Sequence, residues 1–177
     1  MQKYRDFSVC TRQALDYACL FYDMPLSDRE KQDLMEAYQI LPLFRDVREG
    51  LALAESAGFR LFAFSNGSAT AVDSLLQNAG IRGYFADVVS VEETNTFKPS
   101  PVVYRHFMGR AAAVGGKTWL ISSNNFDVIG ALAAGMCAAW VQRSSDTPFD
   151  PWDIEPTITI HSLVELVERI AQEMARV

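Results

Sequence analysis

The sequence is poor in the side chains from which most metal and redox centres are built. Its two histidines, His106 and His161, stand in unrelated segments, so a zinc site lacks the paired nitrogen ligands it commonly uses. Cysteine is also sparse: Cys10, Cys19 and Cys137 make an odd three, with no CxxC pair and no metal spacing around them. Cys10 and Cys19 fall on one helical pattern, roughly 13 Å apart along its axis, which is too far for a disulfide. Reduced, mostly buried thiols in a cytoplasmic protein are therefore expected. Long apolar runs are missing too. Nothing approaches the ~20 apolar residues of a membrane span, and the polar opening Met1-Gln2-Lys3-Tyr4-Arg5-Asp6 does not resemble a signal peptide. Positive charge is in deficit, with 16 Lys and Arg against 22 Asp and Glu and a net charge of -6. Such a chain has no basic face for a nucleic acid. Neither nucleic acid nor membrane is expected as a partner.

What is present is the material of a sizeable core. Hydrophobic residues make up 49% and charged residues 21% of the 177, enough for one domain or a core with a small appendage. Two helical patterns come first. From Ser8 to Tyr22, apolar Val9, Leu15, Ala18, Cys19 and Phe21 recur at helical spacing. After a break at Met24-Pro25-Leu26, Ser27 and Glu30 form a capping box that opens a second helix to about Gln39. Pro42 closes this hairpin. The rhythm then changes. Helices are expected near Val47–Ala57, Ser68–Ala79, Pro101–Ala113, Phe126–Ala134 and Ser162–Met174, with Gly58, Gly80 and Gly135 stopping three of them. Strands are expected at Arg60–Phe64, Asp87–Val91, Thr118–Ser122, Cys137–Val141 and Thr157–Ile160. This alternation predicts parallel βαβ units: an α/β protein with an open, mainly parallel, Rossmann-like sheet. Residues 1–43 read as a small helical subdomain and residues 44–177 as the α/β core. In such sheets the reactive groups gather at the carboxyl ends of the strands.

Three loops at those ends hold unusual polar clusters. In Phe64-Ser65-Asn66-Gly67-Ser68 a strand ends in hydroxyl and amide groups and turns into a helix N-terminus, which offers donors to a small anion. The plain structural reading is a turn and an N-cap, since Ser, Asn and Gly are what turns use. In Thr96-Phe97-Lys98-Pro99-Ser100-Pro101 the prolines stiffen the approach to a helix, and Lys98 becomes a fixed cation fit to stand beside a carboxylate. A solvated loop lysine is the plainer alternative. In Ser122-Ser123-Asn124-Asn125-Phe126-Asp127 five polar residues interrupt an apolar strand–helix junction. Asp127 stands there in the first helical turn, where the dipole favours it. Capping by Asn124 or Asn125 is the alternative for that loop.

Taken together and in this order, Ser65-Asn66, Lys98-Pro99 and Ser122-Ser123-Asn124 with Asp127 resemble the second, third and fourth motifs of the haloacid dehalogenase superfamily. The phrases SNGS, KPSPVVY and SSNNFDVIGA are most similar to its L-2-haloacid dehalogenase branch, and the similarity runs from the segment with Phe7 and Tyr17 to the last strand. The resemblance implies a haloacid dehalogenase-like core with a partial helical cap. Metal-dependent members place two acidic residues four positions apart in the fourth motif. Here Ser123 holds the earlier position. A magnesium ion wants carboxylate oxygens, so the resemblance implies chemistry without metal or other cofactor.

That branch hydrolyses the carbon–halogen bond of small 2-haloalkanoic acids through an aspartyl ester, a covalent route that divides one hard displacement into two steps. Mapped by motif, Lys98, Asp127, Asn124 and Ser122 are the expected catalytic residues. Lys98 would keep the nucleophile ionised, Asp127 would orient or activate the hydrolytic water, and Asn124 would help to cradle the halide or that water. Ser65, Asn66, Phe7, Tyr104 and Phe126 are the expected substrate-binding set, with Ser65 and Asn66 on the substrate carboxylate. Tyr104 and Ser122 would support the network around it. Phe126 stands where many relatives carry tryptophan. The small 2-halocarboxylate is the expected partner, and a homodimer follows from the resemblance.

One departure matters. The family's first motif, an aspartate after an apolar strand, has no counterpart ahead of the cap, and neither does the arginine that usually precedes it. Asp6 and Asp16 fall in or beside a cap helix and do not replace that aspartate. The sequence as printed is thus expected to lack its nucleophile and its first core strand. A non-catalytic remnant that binds a small carboxylate or a partner chain, and a phosphatase of the same superfamily, are the alternative readings. Lys98→Ala and Asp127→Ala are expected to remove turnover and spare the fold, since both residues lie on loops.

Overall fold

The computed structural model describes residues 3–176, and the elements follow the expected order. Helices α1 (Phe7–Phe21) and α2 (Asp28–Ala37) form a hairpin. The capping box is made at both ends. Ser27 Oγ accepts from the Glu30 amide at 3.3 Å, and the Ser27 amide donates to Glu30 at 2.8 Å. Lys31 of α2 clasps Asp16 of α1 at 2.7 Å. This helical pair has no fully buried residue. For that reason Cys10 and Cys19 are half-buried free thiols, as is Cys137, rather than the mostly buried ones expected.

Beyond it come α3 (Val47–Ser56), β1 (Leu61–Ser65), α4 (Ala69–Asn78), β2 (Phe85–Ser90), α5 (Pro101–Ala111), β3 (Trp119–Ser122), α6 (Asn125–Ala133), β4 (Cys137–Val141), β5 (Ile158–Ile160) and α7 (Leu166–Met174). Ser68 caps α4 by accepting from the Ala71 amide at 3.2 Å, and Pro101 occupies the first turn of α5, where its missing N–H costs nothing. After α4 and α6, Gly80 and Gly135 take left-handed backbone (φ 65° and 81°), which lets the chain reverse into the next segment. The last helix begins later than its sequence pattern suggests. Leu163–Glu165 is a 3-10 turn, opened by Ser162 Oγ accepting from Val164 N at 3.2 Å.

All pairing is parallel, but the strands form two ladders, β2–β1 and β3–β4–β5. The expected single sheet is divided between β1 and β3, each of which has one paired and one unpaired edge. What unites the halves is helix packing. On one face Phe62, Phe64 and Val89 of the first ladder share a core with Leu120, Ala138 and Trp140 of the second, beneath Val103, Tyr104 and Phe107 of α5 and Val128 of α6. Each such side chain contributes roughly 1.5–3 kcal/mol when fully buried. The opposite face carries two smaller cores, under α4 and α7. Asp46, just before α3, links them. It accepts from the Leu163 amide at 2.7 Å and from Arg143 at 2.6 Å. Because every strand runs the same way, Ser65, Ser90 and Ser122 end their strands at one end of the molecule, with Ser65 level with Ser90.

Candidate active site

At that end three loops meet. Lys98 Nζ lies 2.8 Å from Asp127 Oδ2 and donates also to the Phe64 carbonyl at 3.1 Å, so one ammonium ties the end of β1 to the start of α6. The pair is almost dry: the two side chains are 9% and 5% exposed. It also rests on an aromatic face, with Nζ 4.6 Å from the Phe64 ring centre. Tyr104, fully buried on α5, points its hydroxyl at Asp127 Oδ1, 3.0 Å away. Burial first, and then the charge and hydrogen bond of Asp127, hold this phenol protonated well above its ordinary range. A fixed cation, a fixed carboxylate and a neutral hydroxyl thus form one unit.

The loops that carry these groups are held by their own polar residues. The Asn66 side-chain oxygen accepts the Lys98 amide at 2.9 Å, which locks the lysine loop to the loop after β1. Ser65 Oγ accepts from Gly67 N at 3.0 Å, and Ser122 Oγ accepts from Asn124 N at 3.1 Å. Both serine hydroxyls keep their proton for another acceptor. Trp140 steadies the third loop by donating to the Ser123 carbonyl at 3.3 Å. Neither asparagine caps α6 with its side chain. Asn124 makes no such bond, and Asn125 instead donates to Asp150 at 3.1 Å.

The expected substrate-binding residues part company here. Ser65 and Asn66 sit beside the pair, whereas Tyr104 is sealed behind it in the core, so its polar contact is with Asp127 and not with solvent. Phe7 packs against Phe97, the neighbour of Lys98, with ring centres 5.7 Å apart. It also faces a cavity of about 550 Å³ between α1, α2 and α4, whose walls include Arg12, Met35, Tyr38, Ser68 and Leu75. Lys98 and Asp127 do not line this cavity, and neither does Phe126, which is 43% exposed on the first turn of α6. Two participants escaped the sequence reading. Ser90, 2% exposed, donates to the Gly67 carbonyl at 2.8 Å and fixes the first loop. The Tyr4 ring stacks on Phe97 at 5.2 Å. A lone serine at a strand end and a tyrosine ahead of a helix carry no local signal.

This arrangement has clear relatives. The chain is 33% identical over 166 residues to (S)-2-haloacid dehalogenase 2 of Pseudomonas sp. (strain CBS-3), covering 94% of this chain and 72% of that protein. Haloacetate dehalogenase H-2 of Moraxella sp. (strain B) is 31% identical over 173 residues, with 97% and 76% covered. Among solved structures, the L-2-haloacid dehalogenase of Xanthobacter autotrophicus superposes with a TM-score of 0.86 at 26% identity, over 95% of this chain and 77% of that one. The same enzyme with chloropropionic acid covalently bound gives 0.85. Residues 8–135, which include the lysine, the tyrosine and the aspartate just described, match the haloacid dehalogenase-like hydrolase family, and the chain belongs to that family.

Proposed function

We propose that this chain forms most of an enzyme that hydrolyses the carbon–halogen bond of small 2-haloalkanoic acids. The observation that carries the reading is the buried Lys98–Asp127 pair, backed by Tyr104, at the ends of β1 and β3. In the first step a carboxylate oxygen attacks C2 and the carbon–halogen bond breaks, the halide leaving with the electron pair. Water then cleaves the ester, releasing the 2-hydroxy acid and regenerating the carboxylate. The nucleophile comes from an aspartate on a strand ahead of α1, lying between β1 and β3. There it sits within reach of the Lys98 ammonium, which keeps it ionised. Ser65 offers its hydroxyl proton to the substrate carboxylate. The unused lone pairs of Asp127 accept a proton from the attacking water, while Asn124, free of capping duty, faces the halide or that water.

In this reading residues 1–43 are a partial cap, and the cavity beneath it is the route to the site. Ser123, at a position where metal-dependent members carry an acid, leaves the reaction without a divalent cation. Three unpaired thiols suit the cytoplasm. A homodimer would form through the apolar end of α1, where Tyr17, Leu20, Phe21, Tyr22 and Met24 are exposed. Sedimentation velocity tests this, and a monomer at every concentration excludes it.

The decisive experiment is halide release from 2-chloropropionate. It compares the chain as printed with one extended at its N-terminus by its upstream codons. Release by the extended form alone supports the proposal. Silence from both, with 2-chloropropionate still bound in calorimetry, turns the reading to a carboxylate-binding remnant.

A further inference from the structure

The search for an unassigned feature ends on α6, one helical turn after Asp127. Residues three apart share a helix face, and at this spacing the chain has Gly130, the point where α5 and α6 come closest around Tyr104. A Cβ placed on Gly130 would lie 2.7 Å from both Cε2 and Cζ of the Tyr104 ring, and nearer still to its hydroxyl oxygen. Real side chains do not tolerate such contacts. The ring has nowhere else to go, because Tyr104, Val103, Val128 and Ala131 are all fully buried around it and protein cores pack at crystal-like density.

We propose that Gly130 is a positioning residue for the charged pair: its missing side chain is what allows the Tyr104 hydroxyl to stand under Asp127. The inference rests on the reading of Lys98 and Asp127 as the working pair of the site. The chain of action is short. Gly130 admits the ring, the hydroxyl donates to Asp127 Oδ1 at 3.0 Å, and Oδ2 is thereby turned to Lys98 at 2.8 Å. The Asp127 carbonyl oxygen, 3.2 Å from the same hydroxyl, narrows its position further. Any larger residue at 130 forces the ring outward or α6 away, and either movement breaks the hydroxyl–carboxylate bond. Asp127 then keeps its charge and loses its orientation.

The test separates this role from simple packing by asking whether the effect passes through the hydroxyl. Parent, G130A, Y104F and the double variant are compared by thermal melting of the intact chain. The expected result is strong non-additivity. Y104F lowers the midpoint in the parent, where it removes a bond, and leaves it unchanged in the G130A background, where that bond is already lost. Equal drops in both backgrounds would show that Gly130 serves packing alone and overturn the proposal. If G130A does not fold, Y104L/G130A should restore a folded chain by removing the ring that the new methyl meets. Failure of that rescue also overturns it. In a halide-releasing form, kcat of G130A should fall at least tenfold to the level of Y104F, with KM unchanged and the double variant no slower. If no form releases halide, the proposed activity fails while the melting cycle still decides the role of Gly130.

Discussion

Replacing Asp127 by alanine tests how the site is built, because it removes one half of a buried ion pair. Lys98, only 9% exposed, would be left with the Phe64 carbonyl and ring as its remaining partners. Tyr104 loses less, since the backbone carbonyl of residue 127 is 3.2 Å from its hydroxyl and accepts the freed proton. Breaking a buried pair in this way costs about 3–5 kcal/mol, chiefly the penalty of an uncompensated charge. For a chain of this size each kcal/mol moves the melting midpoint by about 2–4 °C, so a fall of roughly 6–20 °C is expected. This reverses the expectation that D127A spares the fold. Its sequence position at a loop–helix junction suggested tolerance, but burial governs the cost. The control removes both charges. Replacing a buried pair with apolar residues of similar size is often neutral, so K98M/D127L should recover most of the loss. Urea denaturation followed by circular dichroism measures both, with stability read from the midpoint at constant slope. A D127A variant within 1 kcal/mol of the parent, or a double variant as unstable as D127A, would refute the picture of a dry, mutually dependent pair.

Two further outcomes follow from the same site. Tyr104 holds its proton in the folded state above the ordinary phenol value of 10.0, so its stabilising effect is complete below about pH 10 and declines as pH rises beyond it, where the unfolded chain ionises. Stability of Y104F should therefore fall less steeply above pH 10 than that of the parent, and parallel curves would contradict the assignment. Halide release by the extended chain should survive a chelator undiminished, because Ser123 removes an acidic ligand; loss restored by magnesium would move the protein to the phosphatase branch.

The order of elements was legible because each carries its own local signal. Gly80 and Gly135 mark helix ends by chirality, Ser27 and Glu30 mark a start by reciprocal hydrogen bonds, and Cys137–Val141 stands out as an apolar run because β4 is paired on both sides. The meeting of Ser65, Lys98 and Asp127 was legible too, since parallel strands bring their carboxyl ends together. What the residues do there was not. Asn66 looked like a ligand for substrate, yet its carbonyl oxygen is spent on the Lys98 amide. Tyr104 looked like a pocket residue, yet it is core. Both distinctions depend on contacts 32 and 23 residues distant, which no window of sequence contains.

The division between β1 and β3 leads to the last prediction. Neighbouring strands lie about 4.8 Å apart, so two strands that flank a third stand roughly 10 Å from each other. Direct closure of β1 on β3 was one way to avoid unpaired edges, and the structure does not take it. An unsatisfied buried backbone group costs about 1–3 kcal/mol, and a row of them would exceed the stability of a typical domain, about 5–15 kcal/mol. The burial of β1 resolves the difficulty. All five residues from Leu61 to Ser65 are only half-buried, so water reaches this edge and takes up part of the unmade hydrogen bonding. The halves stay together because α5 and α6 bridge one face and the Asp46 clasp the other, not because the strands pair. Amides on the open edges of Leu61–Ser65 and Trp119–Ser122 should therefore exchange with deuterium much faster than those paired between β3 and β4. Extending the chain at its N-terminus through an apolar strand should protect both sets together, since one strand fills both ladders. Protection of both edges in the chain as printed would mean that β1 and β3 close on each other in solution. Protection of one set without the other on extension would mean that the added strand does not lie between them, and the proposed place of the nucleophile would fall with it.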